Sequence, residues 1–210
     1  MYPQVCSICG KLNTKSLCNK CNNKLKEEYS FEIDDYQNDT SKYFEKHYYF
    51  FKYKDLIREQ ILNLKFKEKP YYCQTITYFL KNMQKSFEKL KIYDIIIIVP
   101  ISNERKKERG YNQSELIARQ IALLLDVPVI DNILYKCKNT VPQSTLNKAQ
   151  REENAKDSYK AKNCYKIKDK KILLFDDIYT TGSTVNECAK VLVKNGVNRK
   201  QIGILTVAKD

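Results

Sequence analysis

The sequence predicts an α/β fold in which helices flank a parallel sheet. Three short apolar runs have polar boundaries: "DIIIIVPI" from Asp94, "KILLF" from Lys171 and "QIGILTVA" from Gln201. Strands that are buried on both faces of a parallel sheet have this composition. Segments with a helical spacing of apolar residues lie between the runs, and such an alternation is typical of a parallel sheet that is covered on both sides.

The helices follow from the spacing of apolar residues along the chain. The first predicted helix is "YKDLIREQILNLKF" and the second is "CQTITYFLKNMQKSFEKL". After the first strand, "NQSELIARQIALLLDV" carries an apolar stripe along one helical face, and "STVNECAKVLVKNG" is predicted to be a helix that ends at Gly196. Between these two helices, "PVIDNILYKC" is a predicted strand region. The polar segment "KNTVPQSTLNKAQREENAKDSY" is either a mobile loop or a loop with a short helix.

The composition indicates one soluble domain with a small appendage. The chain has 210 residues, and no apolar run approaches the roughly 18 residues that suggest a membrane span. The opening residues, "MYPQVC", lack the pattern of a signal peptide, so a cytoplasmic location is expected. A formal charge of +13 is compatible with nucleic-acid binding. Only six of the 38 basic residues are arginine, however, which equally indicates a general drift toward lysine.

Composition also divides the chain into three parts. Residues 1–24 contain four of the eight cysteines, and residues 25–46 are polar and acidic, as expected of a linker. Residues 47–210 are expected to form the globular domain. His47 stands among aromatic residues in "KHYYFFKY", which favours a structural role for its ring over a ligand role.

The cysteines near the N-terminus have the spacing of a metal-binding knuckle. Cys6 and Cys9 form one C-x-x-C pair, and Cys18 and Cys21 form a second pair after eight intervening residues. Two such pairs can close a tetrahedral zinc site, and a segment this short cannot build a core of its own. Two disulfides are the alternative, although nothing in the sequence indicates an oxidising compartment. Four sulfur ligands leave zinc no open position, so its predicted role is structural.

The segment "DDIYTTGST" joins a predicted strand to a predicted helix and has the features of an anion site. Ligands of open parallel sheets bind beyond the carboxyl ends of the strands, where this turn falls. The start of a helix offers unpaired N–H groups and the positive end of the helix dipole. Gly182 lets the backbone approach a ligand closely. Four hydroxyl groups add donors, those of Thr180, Thr181, Ser183 and Thr184.

Two carboxylates directly before this turn restrict the kind of anion that fits. Asp176 and Asp177 would repel a bare phosphate. A sugar with adjacent hydroxyls can instead donate hydrogen bonds to them, and Mg²⁺ between the hydroxyls and further phosphates offsets the negative charge. A ribose that carries a 5′-phosphate meets these requirements.

Several blocks of the sequence resemble a known family. "LLFDDIYTTGST" resembles the signature with which type I phosphoribosyltransferases bind phosphoribosyl pyrophosphate (PRPP). "VPISNERKKERGYNQSELIA" is similar to a block of the ComF/GntX family, with Tyr111 where that family usually has Phe. "VPQSTLNKAQREENAKDSY" is similar to a later block of the same family, and the four-cysteine N-terminus belongs to its pattern. The matching positions of the later block are Gln143, Leu146, Arg151 and Asn154.

This resemblance implies a type I phosphoribosyltransferase-like sheet flanked by helices, with a small N-terminal zinc knuckle. Asp176 and Asp177 would bind the ribose hydroxyls, and residues 180–184 would hold the 5′-phosphate, with Mg²⁺ bound alongside PRPP. The segment 138–159 would be a loop that closes over the site. Cations for the pyrophosphate would come from the turn after the first strand, namely Arg105, Lys106 and Arg109.

Two functions are compatible with the resemblance. The first is a ComF-like protein that binds PRPP or a ribose 5-phosphate ligand and acts in competence-related uptake of DNA, with single-stranded DNA and a DNA-uptake helicase as partners. Lysines around the knuckle and the aromatic run 48–53 would then contact the strand, although the same residues also suit a solvated face and a core helix. The second is an active PRPP-dependent phosphoribosyltransferase in nucleotide metabolism or salvage. The sequence assigns no residue to an acceptor, and hence no catalytic residue.

Overall fold

A computed structural model describes residues 5–12, 17–66, 71–138 and 147–210. The strands within these residues are β1 (Tyr29–Asp35), β2 (Lys46–Lys52), β3 (Ile95–Ile98), β4 (Val129–Ile130), β5 (Leu134–Lys136), β6 (Tyr159–Ala161), β7 (Ile172–Tyr179) and β8 (Ile202–Lys209). The main sheet has the order β1-β2-β8-β7-β3-β4, and all of its neighbouring strands are parallel except β1 and β2. Strands β5 and β6 form a separate antiparallel pair.

Helices connect and cover the strands. They are α1 (Asn19–Glu28), α2 (Asp55–Phe66), α3 (Tyr71–Lys81), α4 (Gln84–Glu88), α5 (Asn103–Arg109), α6 (Gln113–Leu125), α7 (Lys148–Ala155) and α8 (Ser183–Lys194). The predicted fold class, a parallel α/β sheet flanked by helices, is confirmed. None of the helices in the described ranges combines the length and the apolar character that crossing a bilayer requires.

Two apolar clusters fill the two faces of the main sheet. Leu173 and Phe175 of β7 join a cluster that includes residues of α2, α3 and α6. Ile172 and Leu174 of the same strand join the opposite cluster, which includes buried residues of α8. Residues of a strand alternate between its faces, so a strand of continuous apolar residues is buried on both sides. This is why the apolar runs of the sequence become the central strands.

The N-terminal cysteine segment packs onto the first of these clusters. Cys6, Cys18 and Cys21 are buried in the same cluster as Ile76 and Phe79 of α3. Helix α1 begins inside the second cysteine pair and continues to Glu28, so it crosses the expected boundary at residue 24. The knuckle therefore shares its apolar core with the sheet domain.

The segment 25–46, which its composition predicts to be a linker, contains strand β1. This strand lies at the edge of the main sheet and pairs with β2. Tyr29 and Phe31 alternate with polar residues and pack against aromatic rings of β2, among them Phe50. The alternate positions hold the half-buried acids Glu32 and Asp34, which contact Tyr49 and His47. These acids give the segment the composition of a linker and obscure the pattern of a strand.

The aromatic run 48–53 lies largely in strand β2. Tyr48, Tyr49, Phe50 and Phe51 are each at most 4% exposed. Rings buried to this extent are part of the core and are closed to the bases of a nucleic acid. The run therefore belongs to the core, but the predicted core helix is wrong, because the run forms a strand.

Two predicted elements are each divided in the structure. The predicted helix over residues 73–90 becomes α3 and α4, with a break at Asn82, whose side-chain amide donates to the carbonyl of Tyr78 at 2.9 Å. Asparagine side chains compete for helical carbonyls in this way. The predicted strand region 128–137 becomes β4 and β5, separated by a polar pair, Asp131 and Asn132. In the segment 138–159, residues 147–159 contain α7, and residues 139–146 lie outside the described part of the chain.

Candidate functional site

The turn from β7 to α8 lies at the carboxyl end of the central strand of the sheet. Strand β7 is paired with β3 on one side and with β8 on the other. Gly182 follows at φ 74°, in the left-handed region, and α8 begins at Ser183. A Cβ atom at Gly182 would lie 2.2 Å from the hydroxyl oxygen of Tyr179. Both the backbone angle and the contact with Tyr179 therefore require glycine here.

The first turn of α8 is open to an anion. No side chain caps the helix. Thr181 and Ser183 share a hydrogen bond of 2.6 Å between their hydroxyls, and the Ser183 N–H donates weakly to Thr181 Oγ1 at 3.4 Å. Thr180 and Thr184 are half-buried beside them. Unpaired N–H groups, hydroxyl donors and the positive end of the dipole thus converge at one point, as in known phosphate sites.

Asp176 is the half-buried acid of this site. Ser114 Oγ donates to its Oδ1 at 3.2 Å, and the N–H of Asp177 donates to the same oxygen at 2.9 Å. Burial, and next the charge of Asp177, raises the pKa of Asp176 to about 7. A carboxyl group in this state favours a proton, a hydroxyl donor or a cation beside it.

Asp177 lies on the opposite face of β7. It is 4% exposed, and its Oδ2 lies 2.9 Å from Nζ of Lys65 and 3.3 Å from Nε2 of Gln113. Since β7 continues to Tyr179, the alternation of a strand extends through both acids and directs them apart. Asp176 lies on the side of α8, while Asp177 is paired with Lys65 at the end of α2.

The first turn of α6 supplies two of these contacts. Asn112 caps the helix, with its Oδ1 accepting from the N–H of Ser114, and its amide donates to the Val99 carbonyl beyond β3. This cap places Gln113 and Ser114 against the two acids. Gln113 and Ser114 belong to the "GYNQSELIA" stretch, which the sequence analysis singled out without predicting their contacts with the two acids. No motif in the sequence pointed to Lys65.

The β5–β6 pair brings two further residues to the site. Tyr159 is buried beside Thr184 of α8, and Nζ of Lys136 lies 5.3 Å from the centre of the Tyr159 ring. Burial, and next the charge of Arg105, lowers the pKa of Lys136, while Asp176 acts in the opposite direction. The charges of Arg105 and Asp176 thus both act on Lys136. Sequence reasoning missed Lys136 and Tyr159.

The predicted cations of the turn after β3 are placed differently from one another. They lie in the short helix α5, which Ser102 caps by accepting from the N–H of Arg105. Arg105 is half-buried near Lys136 and Tyr159, whereas Lys106 is exposed. The side chain of Arg109 lies outside the described part of the chain. Arg105 and Lys106 therefore differ: the charge of Arg105 acts on Lys136 and Tyr159, whereas Lys106 faces solvent.

His47 packs against Tyr179, the last residue of β7 before the turn. Its ring is fully buried and stacks on the ring of Tyr179, with 4.1 Å between the centroids. Nδ1 lies 3.2 Å from a carboxylate oxygen of Asp34, and Nε2 lies 2.8 Å from the hydroxyl of Thr206. Burial lowers the pKa of His47, against the effect of Asp34, so the ring is neutral at pH 7. These contacts give His47 a structural role.

The four N-terminal cysteines come together at a second site. The sulfur atoms of Cys6, Cys9, Cys18 and Cys21 all lie within 4.8 Å of one another, and none of them is in a disulfide. Cys9 Sγ and Cys18 Sγ are 3.7 Å apart. A tetrahedron with metal–sulfur bonds of about 2.3 Å has sulfur atoms roughly 3.8 Å apart. The cluster therefore fits a tetrahedral metal ion, and the alternative of two disulfides is excluded for this conformation.

Comparison with known proteins identifies relatives of the chain. Competence protein F of Haemophilus influenzae is 37% identical over 121 residues, which are 56% of this chain and 52% of that protein. Competence protein ComFC of Bacillus subtilis is 26% identical over 195 residues, which are 91% of this chain and 72% of ComFC. The chain is thus similar to two proteins that are named competence proteins. The DNA utilization protein YhgH of Escherichia coli K12 is a further relative, 29% identical over 116 residues.

The matches cover different shares of this chain and of its relatives. The chain spans about half the length of competence protein F and of YhgH, 52% and 50% respectively. No protein-family model matches it. Among solved structures, adenine phosphoribosyl transferase from Trypanosoma brucei, in complex with AMP, pyrophosphate and ribose-5-phosphate, has a TM-score of 0.41 and 13% identity, covering 89% of this chain and 78% of that one.

Proposed function

We propose that this chain binds PRPP, or another ribose with a 5′-phosphate, together with Mg²⁺ at the turn from β7 to α8. We propose further that it acts in competence-related uptake of single-stranded DNA. The observation that carries the proposal is the position of Asp176. It is a half-buried carboxyl with a raised pKa, and it lies beside an uncapped helix start that is lined with hydroxyl groups.

The phosphate group occupies the helix start in this proposal. Residues 180–184 surround it with backbone N–H groups and hydroxyls, and Gly182 keeps the backbone free of a Cβ atom. An anion at this position is stabilised by the helix dipole as well as by hydrogen bonds. The Thr181–Ser183 hydrogen bond already orients two of the hydroxyls toward each other.

The ribose hydroxyls and Mg²⁺ face Asp176. Oxygen ligands suit Mg²⁺, which binds through one or two carboxylates together with substrate phosphates. Asp177 is held by Lys65 at 2.9 Å, so its contact with a ribose hydroxyl requires Lys65 to move. The pyrophosphate extends toward Arg105 and Lys136, with Lys106 and Arg109 of the same short helix as further cations.

The DNA-related part of the proposal is supported by the relatives. Two of them are named competence proteins, and a third is named a DNA utilization protein. The chain carries a formal charge of +13, which favours contact with a polyanion. Single-stranded DNA and a DNA-uptake helicase are the proposed partners, in the cytoplasm.

A structural zinc ion completes the proposal. Cys6, Cys9, Cys18 and Cys21 supply four sulfur ligands, which is the composition of closed structural zinc sites. In such a site zinc joins the loop of residues 6–12 to the start of α1. It supplies no reaction step, because no coordination position is open.

Isothermal titration calorimetry with PRPP and Mg²⁺ tests the ribose-phosphate site. Asp176→Asn is expected to weaken PRPP binding by about tenfold to a hundredfold, because hydrogen bonds to a charged group are lost. Asp131→Asn is the matched control, since Asp131 is an exposed acid paired with Arg119 on the surface. Equal PRPP affinity for the parent and for Asp176→Asn would show that the ligand does not use this acid.

A second candidate function is transfer of the phosphoribosyl group from PRPP to an acceptor, in nucleotide metabolism or salvage. The observation that favours it is the placement of Arg105 and Lys136 near Asp176, where they can stabilise the charge of departing pyrophosphate. Incubation with PRPP, Mg²⁺ and a panel of nucleobases should then release pyrophosphate only when an acceptor is present. Lys136→Gln should slow that release. If the parent protein releases no pyrophosphate with any nucleobase of the panel, the result counts against transfer.

A further inference from the structure

A polar groove lies between α1 and α3, beside the cysteine cluster and apart from the β7–α8 turn. Its volume is about 360 Å³. This lies at the lower end of the range of about 300–1,000 Å³ that is typical of small-molecule sites. The groove therefore has room for one compact group of the size of a nucleotide.

Helix α1 lines one wall of the groove with hydrogen-bonding side chains. Asn19, Asn22 and Lys26 recur at helical spacing and line the groove together. Within the described ranges, no hydrogen bond of the Asn19 or Asn22 side chain has been identified. Each of these amides offers two donor hydrogens and one acceptor oxygen, which is the complement of a nucleobase edge.

Helix α3 lines the other wall with an aromatic ring. Tyr78 is 40% exposed, in contrast to the buried rings of β2. Asn82, one helical turn further on, donates its side-chain N–H to the Tyr78 carbonyl at 2.9 Å. This bond fixes the Asn82 amide, and its oxygen is the remaining acceptor on this wall. An exposed ring between amide groups is the arrangement that stacks on an unpaired base.

We propose that this α1–α3 groove binds an unstacked base of single-stranded DNA. The base stacks on Tyr78, its edge meets the amides of α1, and Lys26 lies against the adjoining phosphate. The proposal rests on the DNA-related part of the proposed function and is independent of the ribose-phosphate site. It replaces the aromatic run 48–53, which is buried in β2, as the stacking surface for a strand.

The charge in the groove favours a nucleotide of a strand over an isolated base. Lys26 lines the groove, whereas the exposed Lys20 and Lys24 lie on other faces of α1. The phosphate that adjoins the bound base can approach the Lys26 ammonium group while the base occupies the groove. A duplex keeps its bases stacked and paired, so it cannot insert a base without unpairing it.

The cysteine cluster positions one wall of this groove. Asn19 lies between Cys18 and Cys21, and Leu17, which also lines the groove, directly precedes the pair. A metal ion held by the four sulfur atoms fixes the first turn of α1, and so the direction of the Asn19 and Asn22 amides. This gives a closed metal site a part in DNA binding without any contact between metal and DNA.

Fluorescence anisotropy with a short labelled oligothymidylate tests the proposal on the full chain. Tyr78→Ala is expected to weaken binding by about fivefold or more, because loss of one stacked base costs about 1–3 kcal/mol in comparable sites. Tyr78→Phe should keep the parent affinity, since the ring remains. Tyr135→Ala is the matched control, because Tyr135 is 41% exposed but lies on β5. Lys26→Gln should lower the slope of log affinity against log salt by about 0.7.

Several outcomes would overturn the proposal. They are equal affinity of Tyr78→Ala and the parent, an equal loss in Tyr135→Ala, tighter binding of a duplex or of an oligouridylate than of the DNA strand, and no binding by the parent at low salt. Circular dichroism and thermal unfolding check that the variants are folded. Calorimetry with PRPP is carried out on the same preparations. It distinguishes a protein that binds PRPP but not DNA in the groove from a protein that binds neither.

Discussion

The cysteine knuckle and the β7–α8 turn are both short segments that hold functional groups in place, but they are stabilised in opposite ways. The turn follows a strand that is paired on both sides, and Tyr179 packs directly beneath its glycine. In its described residues the knuckle has an isolated bridge between Val5 and Leu12, a few local backbone hydrogen bonds, a hydrogen bond between the hydroxyls of Ser7 and Thr75, and buried cysteines that pack on α3. The sheet is therefore sufficient to shape the turn, whereas the knuckle depends on what its four sulfur atoms bind.

Removal of metal should produce the largest effect and should separate the two regions. Structural zinc contributes about 10–16 kcal/mol to the folding of isolated zinc fingers, and part of that contribution is expected here. Chelation, or Cys18→Ser, should lower helix content and thermal stability. PRPP binding at the turn should persist in calorimetry at a temperature where the sheet domain remains folded. Equal loss at both sites would show that the two regions fold as one unit.

Breaking the buried ion pair of Asp177 should have the next largest effect. Lys65→Met leaves Asp177 buried without its cation, which costs about 3–5 kcal/mol in comparable pairs. Chemical unfolding measures this loss. Adding Asp177→Asn should restore much of the stability, because the uncompensated charge is then gone. Arg119→Gln, in an exposed pair, is the control and should cost at most about 1 kcal/mol.

Gly182→Ala should have a moderate effect that is confined to the turn. The new Cβ atom meets Tyr179 and the backbone angle is unfavourable, at a cost of about 1–3 kcal/mol. Gly110→Ala is a matched control, because Gly110 has φ 72° but no atom within 4 Å of an added Cβ. The unfolding free energy should fall further for Gly182→Ala than for Gly110→Ala. A similar loss in both would mean that the Tyr179 contact adjusts freely.

A pH-dependent part of the stability belongs to Asp176. Its pKa is raised from 3.8 to about 7 in the folded state, so the folded protein holds a proton that the unfolded chain releases earlier. The corresponding stability is present at acidic pH and is lost as pH rises toward 7. Thermal unfolding between these pH values should show this decline in the parent and a smaller one in Asp176→Asn. An identical decline in both would assign it to another group.

The fold was largely predictable from the sequence, because continuous apolar runs have few alternatives to a doubly covered strand. Strand β1 escaped prediction since an edge strand shows only a partial alternation, here Tyr29 and Phe31 among polar residues. The sequence predicted which segment forms the candidate site, but it did not predict the directions in which its side chains point. The predicted strand ended at Phe175, whereas β7 continues to Tyr179 and so carries Asp176 and Asp177 to opposite faces.

The remaining site residues come from elements that are distant in sequence. Lys65 occupies the last turn of α2, where a lysine normally faces solvent, and only the packing of α2 on the sheet brings it to Asp177. Lys136 and Tyr159 reach the turn through the β5–β6 pairing, which a polar segment of more than twenty residues interrupts in the chain. Spacing along the sequence carries no information about such contacts, because they depend on how separate elements dock.

The stack of His47 on Tyr179 gives the ligand turn a brace that crosses the sheet. Asp34, His47, Thr206 and Tyr179 come from four consecutive strands of the sheet, and each touches the next or its neighbour. The outermost of these strands is the edge strand β1. Fraying of this edge would loosen the tyrosine ring that packs against Gly182, so the edge of the sheet is coupled to the ligand turn through a row of polar and aromatic groups.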